Sequence, residues 1–312
     1  MAAANAELVQ VRYRKLKNMS FSVLQIREGV PHEHSSLEVG IVLEGAITLE
    51  CGNRKRQVAE GGLLLFNPYE GHILSSEAGA KVLLMQLAPG FGKAYFARMA
   101  NLEFDNTALD MIPAQVRNTL AGYMLSAAEA FFAEPHVYGM ECAAWAAHLV
   151  TQMLRSIPYR IGSDGEILSK KKKQGRHQRI TNFMEQHYRE KVTLSQLAKA
   201  EGISNTYMSR IFAELFHKPF QEYLSEFRLH KAMPLLKNPS IFLVDVCMEC
   251  GFSDTRYLNA VCQKLYGCSA TQLREKLICD EIDPDDELLL PEVHRYSDRE
   301  ALQIIQAFRE NV

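Results

Sequence analysis

Four side chains early in the chain, three imidazoles and a carboxylate, are of types that can ligate an ion or bind a polar ligand. They follow the order His32-x-His34-x3-Glu38 and then, after Gly62-x5-Pro68, His72. Imidazole and carboxylate donors at such positions suit zinc, iron, manganese or nickel. The same groups can line a pocket for an organic effector without any metal, and that is the favoured expectation. A second set is Cys247-x2-Cys250 with Cys262, Cys268 and Cys279. Its spacing does not match paired-cysteine zinc sites, and thiols pack well as small core residues. An aromatic-rich stretch, Tyr69, Phe91, Tyr95 and Phe96, could stack on a ring or serve as core. No nucleophile elbow or phosphate loop is present, so no enzyme is expected.

Charge points to a different chemistry. Net charge is −2 over 312 residues, yet residues 170–279 carry +8 between −3 over 1–169 and −7 over 280–312. One basic block between acidic ones is the footprint of a polyanion-binding domain. Met1–Gln10 lacks a basic and apolar leader pattern, and no apolar run approaches membrane-spanning length. Seven cysteines, an odd number scattered through a large chain, suit a reducing compartment. A cytoplasmic protein without membrane partners is therefore expected.

These residues need elements to position them. Residues 19–88 alternate short apolar runs with Gly, Pro and Asn turn signals, such as Phe21–Ile26, Val39–Leu43, Ala46–Glu50, Gly62–Phe66 and Lys81–Leu87. Many short antiparallel strands at this spacing predict a β-barrel or sandwich. From about 92 to 157 the period becomes helical, with helices predicted over Ala114–Phe132 and Val137–Ile157. Gly162–Gly165 and Lys170–Gly175 read as a polar, basic linker. Beyond it the chain reads as helical to about 279. Residues 280–312 combine an acidic run, Asp280–Glu287, with a capping-box start at Ser297-x2-Glu300 opening an amphipathic helix. That helix could dock on its own domain, or the acidic tail could compete with DNA for the basic face.

Within the basic block one plan occurs twice. Leu194 and Leu197 precede Gly202-Ile203-Ser204, and Leu243 and Val246 precede Gly251-Phe252-Ser253. Each glycine supplies the positive φ of a tight turn, the apolar residue after it plugs between two helices, and the serine caps the second helix. Those second helices, Asn205–Phe216 and Asp254–Leu265, could enter a DNA major groove. Ile203, Phe212, Val246, Phe252 and Leu258 are expected core positions.

Here the chain resembles the AraC/XylS family of bacterial transcription regulators. The resemblance covers about residues 176–277 and rests on Phe227-Arg-Leu-His-Lys-Ala-Met-Pro-Leu-Leu236, Gly251-Phe-Ser-Asp254, Tyr266-Gly267 and Arg274. The spacing of the early His/Glu set resembles the two motifs of the cupins, with His72 displaced by about one residue. The resemblance implies an α+β chain. An N-terminal cupin-like antiparallel β-barrel and helix pair would sense an effector and dimerise over 1–160, followed by a basic linker over 161–175. A C-terminal all-α domain of two helix-turn-helix units on one linking helix would span 176–279, before an acidic extension over 280–312.

Carried over residue by residue, the DNA-reading positions are Asn205, Thr206, Ser209 and Arg210, then Thr255, Arg256 and Asn259. His32, His34, Glu38 and His72 would bind an effector, or a divalent metal. The chain departs from the family at Ala260, Cys262, Gln263, Ala270 and His217, and Pro234 should kink the linking helix. The expected function is a sequence-specific DNA-binding regulator modulated by a small-molecule effector. Expected partners are double-stranded DNA, a second copy of the chain, and RNA polymerase if it activates. Two alternatives are a metal-dependent cupin enzyme with a helical appendage and a regulator without an effector.

Overall fold

Runs with alternating burial become strands because one face of each must leave water. The computed structural model describes residues 7–8, 11, 13, 15–29, 31–52, 54–216, 218–279 and 293–311. His217, Asp280–Glu287 and most of Met1–Gln10 lie outside the described residues. The chain forms two units, Met1–Lys170 with Glu292–Val312, and Lys171–Pro291.

The first unit is built on strands β1 (Glu7–Leu8), β2 (Met19–Glu28), β3 (His32–Glu33), β4 (Leu37–Glu44), β5 (Ala46–Cys51), β6 (Arg54–Ala59), β7 (Leu63–Phe66) and β8 (His72–Leu87). Two short strands, β9 (Leu102–Phe104) and β10 (Tyr159–Ile161), pair separately, and β11 (Val293–Arg295) arrives from the chain's far end. Nine of these strands form one mostly antiparallel sheet folded over the long β8. The first half of β8 pairs with β3 and β5, and its second half lies between β2 and β4. This cupin-like fold encloses an apolar filling that includes Ile26, Val42, Ile47, Leu64, Phe66, Leu74 and Val82.

The opposite sheet face packs on helices. Helices α1 (Ala114–Ala133) and α2 (Tyr138–Ser156) form the expected antiparallel pair. Residues 92–113, read as helical, are turns, β9 and short 3-10 segments instead. Local hydrogen bonding by residues such as Asp105, which accepts from the Thr107 N–H, competes with an α-helix there. Among the described residues, no helix is long and apolar enough to cross a membrane.

The C-terminal segment completes this unit. Strand β11 pairs with β2, and helix α10 (Asp298–Asn311) buries Ala301, Ile305 and Phe308 in the core of the first unit. Ser297 and Glu300 form the expected capping box, with Ser297 N–H donating to Glu300 at 2.9 Å. Arg309 donates to Ser126 Oγ at 2.6 Å, and Lys15 pairs with Asp298 at 2.7 Å. Replacing Phe308 with alanine should remove about 3 kcal/mol from this unit, the cost of emptying a buried aromatic site. Thermal unfolding checks this, with exposed Glu310→Ala as the neutral control.

The second unit is helical. Helix α3 (Asp164–His187) occupies most of the stretch read as a linker and leads into this unit. Ser163 and Glu166 cap it reciprocally, and Lys, Gln and Arg are good helix formers. There follow α4 (Leu194–Ala200), α5 (Asn205–Phe216), α6 (Phe220–Leu236), α7 (Leu243–Cys250), α8 (Thr255–Tyr266) and α9 (Ala270–Ile278). Pro234 lies in the last turn of α6, which continues past it to Leu236, so its missing N–H costs the helix one bond near its end without interrupting it.

Candidate nucleic-acid interface and buried histidine cluster

The two helix-turn-helix units have separate cores and share α6. Ile180, Met184, Leu197, Met208, Ile211, Phe212 and Leu224 fill the first. Leu229, Met233, Val246, Phe252, Leu258, Val261 and Leu273 fill the second. The duplication reaches further than the turn glycines. Arg228 on α6 donates to the carbonyls of Tyr188 and Glu190 after α3, at 2.8 and 2.7 Å. Arg274 on α9 does the same to Leu236, the last residue of α6, and to Ile241 beyond it, at 3.1 and 2.8 Å. Each arginine neutralises carbonyls that a helix end leaves without partners.

Both second helices turn a polar face outward. On α5, Met208, Ile211, Phe212, Leu215 and Phe216 are buried at helical spacing, leaving Asn205, Thr206, Ser209 and Arg210 on the exposed side. Ser204 caps this helix by accepting from Tyr207 N–H at 3.3 Å. Arg210 packs over the exposed Tyr207 ring at 5.1 Å and stands 3.8 Å from Glu214, so little holds it back from a ligand. Asn205 donates to Ser195 Oγ at 2.9 Å, bracing α5 against α4.

The second unit differs in three ways from the sequence reading. Its cap is Asp254, one residue beyond Ser253, with Oδ1 accepting from Tyr257 N–H at 2.8 Å. Asn259 is already committed: its Oδ1 accepts from Ala270 N–H at 2.8 Å and its Nδ2 donates to Thr255 at 3.0 Å. Ala270, where the family usually carries proline, supplies that N–H. Thr255 is half-buried, so Arg256 is the most available of the three named residues. Exposed Ala260 and Gln263, two of the departures from the family, share its face at one- and two-turn spacing.

Four of the five C-terminal cysteines are core, and Cys279 is exposed. Cys247, Cys250, Cys262 and Cys268 are buried in the second unit, and burial raises the Cys250 and Cys262 thiols to about 11 and about 12. Such thiols stay protonated and are poor metal ligands.

In the first unit the early His/Glu set does converge. His32 and His72 are register partners on β3 and β8, and ligand nitrogens of His32, His34 and His72 lie within 4.8 Å of one another. Glu38 on β4 is fully buried, 3.2 Å from His34 Nε2 and 3.5 Å from His72 Nε2. Those two nitrogens and Glu38 Oε1 nevertheless lack hydrogen-bond alignment with any partner. Their other nitrogens face carbonyls: His34 Nδ1 lies 3.2 Å from Ser36 O, and His72 Nδ1 lies 2.9 Å from Glu70 O. A carbonyl can only accept, so each Nδ1 carries a proton, and each Nε2 is left facing Glu38 inside the cluster.

Burial raises the Glu38 carboxyl, but the adjacent His34 and His72 more than offset this and hold it well below its ordinary value. Gln86 donates to its Oε2 at 2.6 Å. The loop before His72 is tied on several sides. Glu70 accepts from Asn67, Asn106 and Cys51, and Asn67 bonds both backbone groups of Phe104. Tyr69 takes a left-handed φ of 64° there, and its N–H donates to His34 O at 2.7 Å. Phe66 stacks on the His72 ring at 3.8 Å. Of the other aromatics, Phe91 and Phe96 belong to the helix-side core, and Tyr95 is 96% exposed. A separate cleft of about 420 Å³ lies between β6, β7 and α1, lined by Arg56, Asp110, Arg117 and Asn118 among others.

Residues 28–99 match the AraC-like ligand binding domain, and residues 197–276 match a helix-turn-helix domain. The HTH-type transcriptional regulator ExsA of Pseudomonas aeruginosa is 22% identical over 244 residues, covering 76% of this chain and 85% of its own. The virulence regulon transcriptional activator VirF of Yersinia enterocolitica is 31% identical over 97 residues. That match covers 31% of this chain, which thus spans only 36% of VirF. Among solved structures, ToxT from Vibrio cholerae aligns over 83% of this chain and 98% of its own, at 9% identity and a TM-score of 0.45. The relatives named are transcription regulators, not enzymes.

Proposed function

We propose that this chain, a member of the AraC family of DNA-binding transcription regulators, reads a specific operator with both second helices and is controlled by an effector in its first unit. The observation that carries the DNA reading is the doubled architecture. Two helices of the same length, each capped and each with a polar outer face, stand on one shared helix. Two recognition helices on one rigid support would enter adjacent major grooves on one face of the duplex.

Roles divide by chemistry. Arg210 and Arg256 suit guanine, Gln263 suits adenine, and Asn205, Thr206, Ser209 and Thr255 suit less selective edges or phosphates. Asn259 and the two capping arginines hold the frame. The +8 of residues 170–279 supplies the salt-dependent, sequence-independent part of the affinity.

Control requires that the effector bind two states of the chain unequally. The AraC-like domain match supports an effector site in the first unit. A homodimer is also part of the proposal. Because α10 covers part of α1, the α2 face carrying exposed Met140, Ala144 and Ala147 is the available contact. A chain that sediments as a monomer at micromolar concentration would remove the dimer. If the regulator activates, RNA polymerase is a further partner.

The test is binding of the full chain to DNA fragments flanking its own gene, across a salt series. Saturable binding to one fragment over competitor, with a steep inverse dependence on salt, is expected. Equal binding to every fragment would contradict the proposal.

A further inference from the structure

We infer that His32, His34, His72 and Glu38 bind a divalent first-row transition-metal ion, and that this ion is the signal sensed by the first unit. The inference deepens the reading of the chain as an effector-responsive regulator and rests on it.

The first argument is electrostatic. The Nε2 atoms of His34 and His72 face the Glu38 carboxylate inside a buried site, at 3.2 and 3.5 Å, without hydrogen-bond alignment, and the other nitrogens of both rings are already committed to carbonyls. A buried carboxylate that no aligned donor from these rings satisfies calls for a positive charge beside it, an ion or a proton. A divalent cation resolves this for both nitrogens and the carboxylate at once. Three imidazoles and one carboxylate form a donor set typical of zinc, iron, manganese or nickel.

The second argument is support. Metal-binding imidazoles are held by a second layer that fixes tautomer and ring orientation. Here that layer includes Ser36 O for His34, Glu70 O for His72, Gln86 for the carboxylate and Phe66 against the His72 ring. The loop that carries Glu70 is itself anchored through Asn67 and Asn106.

The third argument is room. An organic effector of ordinary size needs a pocket of several hundred cubic ångströms. The sheet interior beside the cluster is instead filled by Val42, Ile47, Leu64, Phe66 and Val82, all at 0% exposure. An ion needs only the donors themselves. His32, half-buried at the edge of the cluster, marks the side from which an ion could enter. The cleft near Arg117 shares no residue with this cluster.

A proton on one imidazole is the competing source of that positive charge, and the experiment separates the two. Full-length protein, stripped with chelator, is titrated with Zn²⁺ by calorimetry and with Co²⁺ by visible absorption, and operator affinity is measured with and without Zn²⁺. One ion per chain is expected, with visible bands for Co²⁺ and at least a 5-fold change in operator affinity. Glu38→Gln should weaken Zn²⁺ binding by about 100-fold. His32→Ala serves where the buried substitution prevents folding, and circular dichroism reports which variants fold. If the parent binds no ion yet holds its operator specifically, the metal inference is overturned and the regulator reading stands. An ion that binds without changing operator affinity overturns the signalling role. Ion binding without any operator binding overturns that role too, and with it the regulator reading.

Discussion

Full-length protein with Ser209 and Arg210 both replaced by alanine is expected to bind its operator about 100-fold more weakly, with an unchanged unfolding temperature. The two halves of this expectation have separate causes. Arg210 is exposed, its carboxylate partner stands 3.8 Å away, and it packs on an exposed tyrosine ring. Exposed pairs of this kind contribute about 0–1 kcal/mol, so folding barely registers their loss. A base contact made by arginine is worth about 1–3 kcal/mol, and tenfold in affinity corresponds to about 1.4 kcal/mol. One strong and one weaker contact therefore give roughly two decades. Arg256→Ala should cost about 10-fold or more and relax preference at one base pair. Asn259→Ala should behave oppositely. It leaves the Ala270 N–H without its acceptor and lowers stability by about 1 kcal/mol. Operator titrations with single-base substitutions, beside thermal unfolding, distinguish reading residues from bracing ones.

Gly251→Ala should unfold the second helix-turn-helix, whereas Gly202→Ala should be tolerated. The two glycines hold the same place in the repeated plan and similar backbone angles, φ 76° and φ 67°. Left-handed backbone costs any other residue about 1–2 kcal/mol, and both substitutions incur that. Their surroundings differ. A Cβ at Gly251 would lie 2.5 Å from Tyr188 O and 2.8 Å from Arg189 O, while at Gly202 nothing stands within 4 Å. Tyr188 cannot yield easily, because Arg228 binds its carbonyl at 2.8 Å. Overpacking adds about 1–3 kcal/mol, so about 4 kcal/mol is expected for Gly251→Ala against about 1.5 kcal/mol for Gly202→Ala. Chemical denaturation followed by circular dichroism measures both, and equal losses would show that close packing at Gly251 is unimportant.

The contrast between these glycines shows where local sequence stops being informative. The Gly-apolar-Ser plan made the turns legible, since a turn is decided by a few adjacent residues. That Gly251 also presses on the end of α3 depends on residues about sixty positions earlier, and no local pattern carries that. The same division holds elsewhere. The capping boxes at Thr193 and Ser297 were readable because Gln196 and Glu300 stand three residues on. Strand β11 was not foreseen, for its partner β2 lies near the other end of the chain. The stretch read as a linker is mostly α3: its charges suggested solvent, but Lys, Gln and Arg also favour helix, and Ser163–Glu166 caps it. Asn259 is a DNA-reading position by the family resemblance, which says nothing of the bond its amide oxygen accepts from α9. The likeness of their spacing to the cupin motifs pointed to all four members of the histidine cluster. The β3–β8 register brings His72 opposite His32 despite its displaced place in the motif.

The central claim is that one chain reads two adjacent major grooves through α5 and α8. Hydroxyl-radical footprinting of the full-length protein on its operator tests this most directly. Two protected patches on one face of the duplex, about 10 base pairs apart, are predicted. The patch lost in the Ser209/Arg210 double variant should differ from the one lost in Arg256→Ala. A single patch that only the Ser209/Arg210 variant removes, with Arg256→Ala and Gln263→Ala leaving it intact, would contradict the account and leave the second unit without a role in reading DNA.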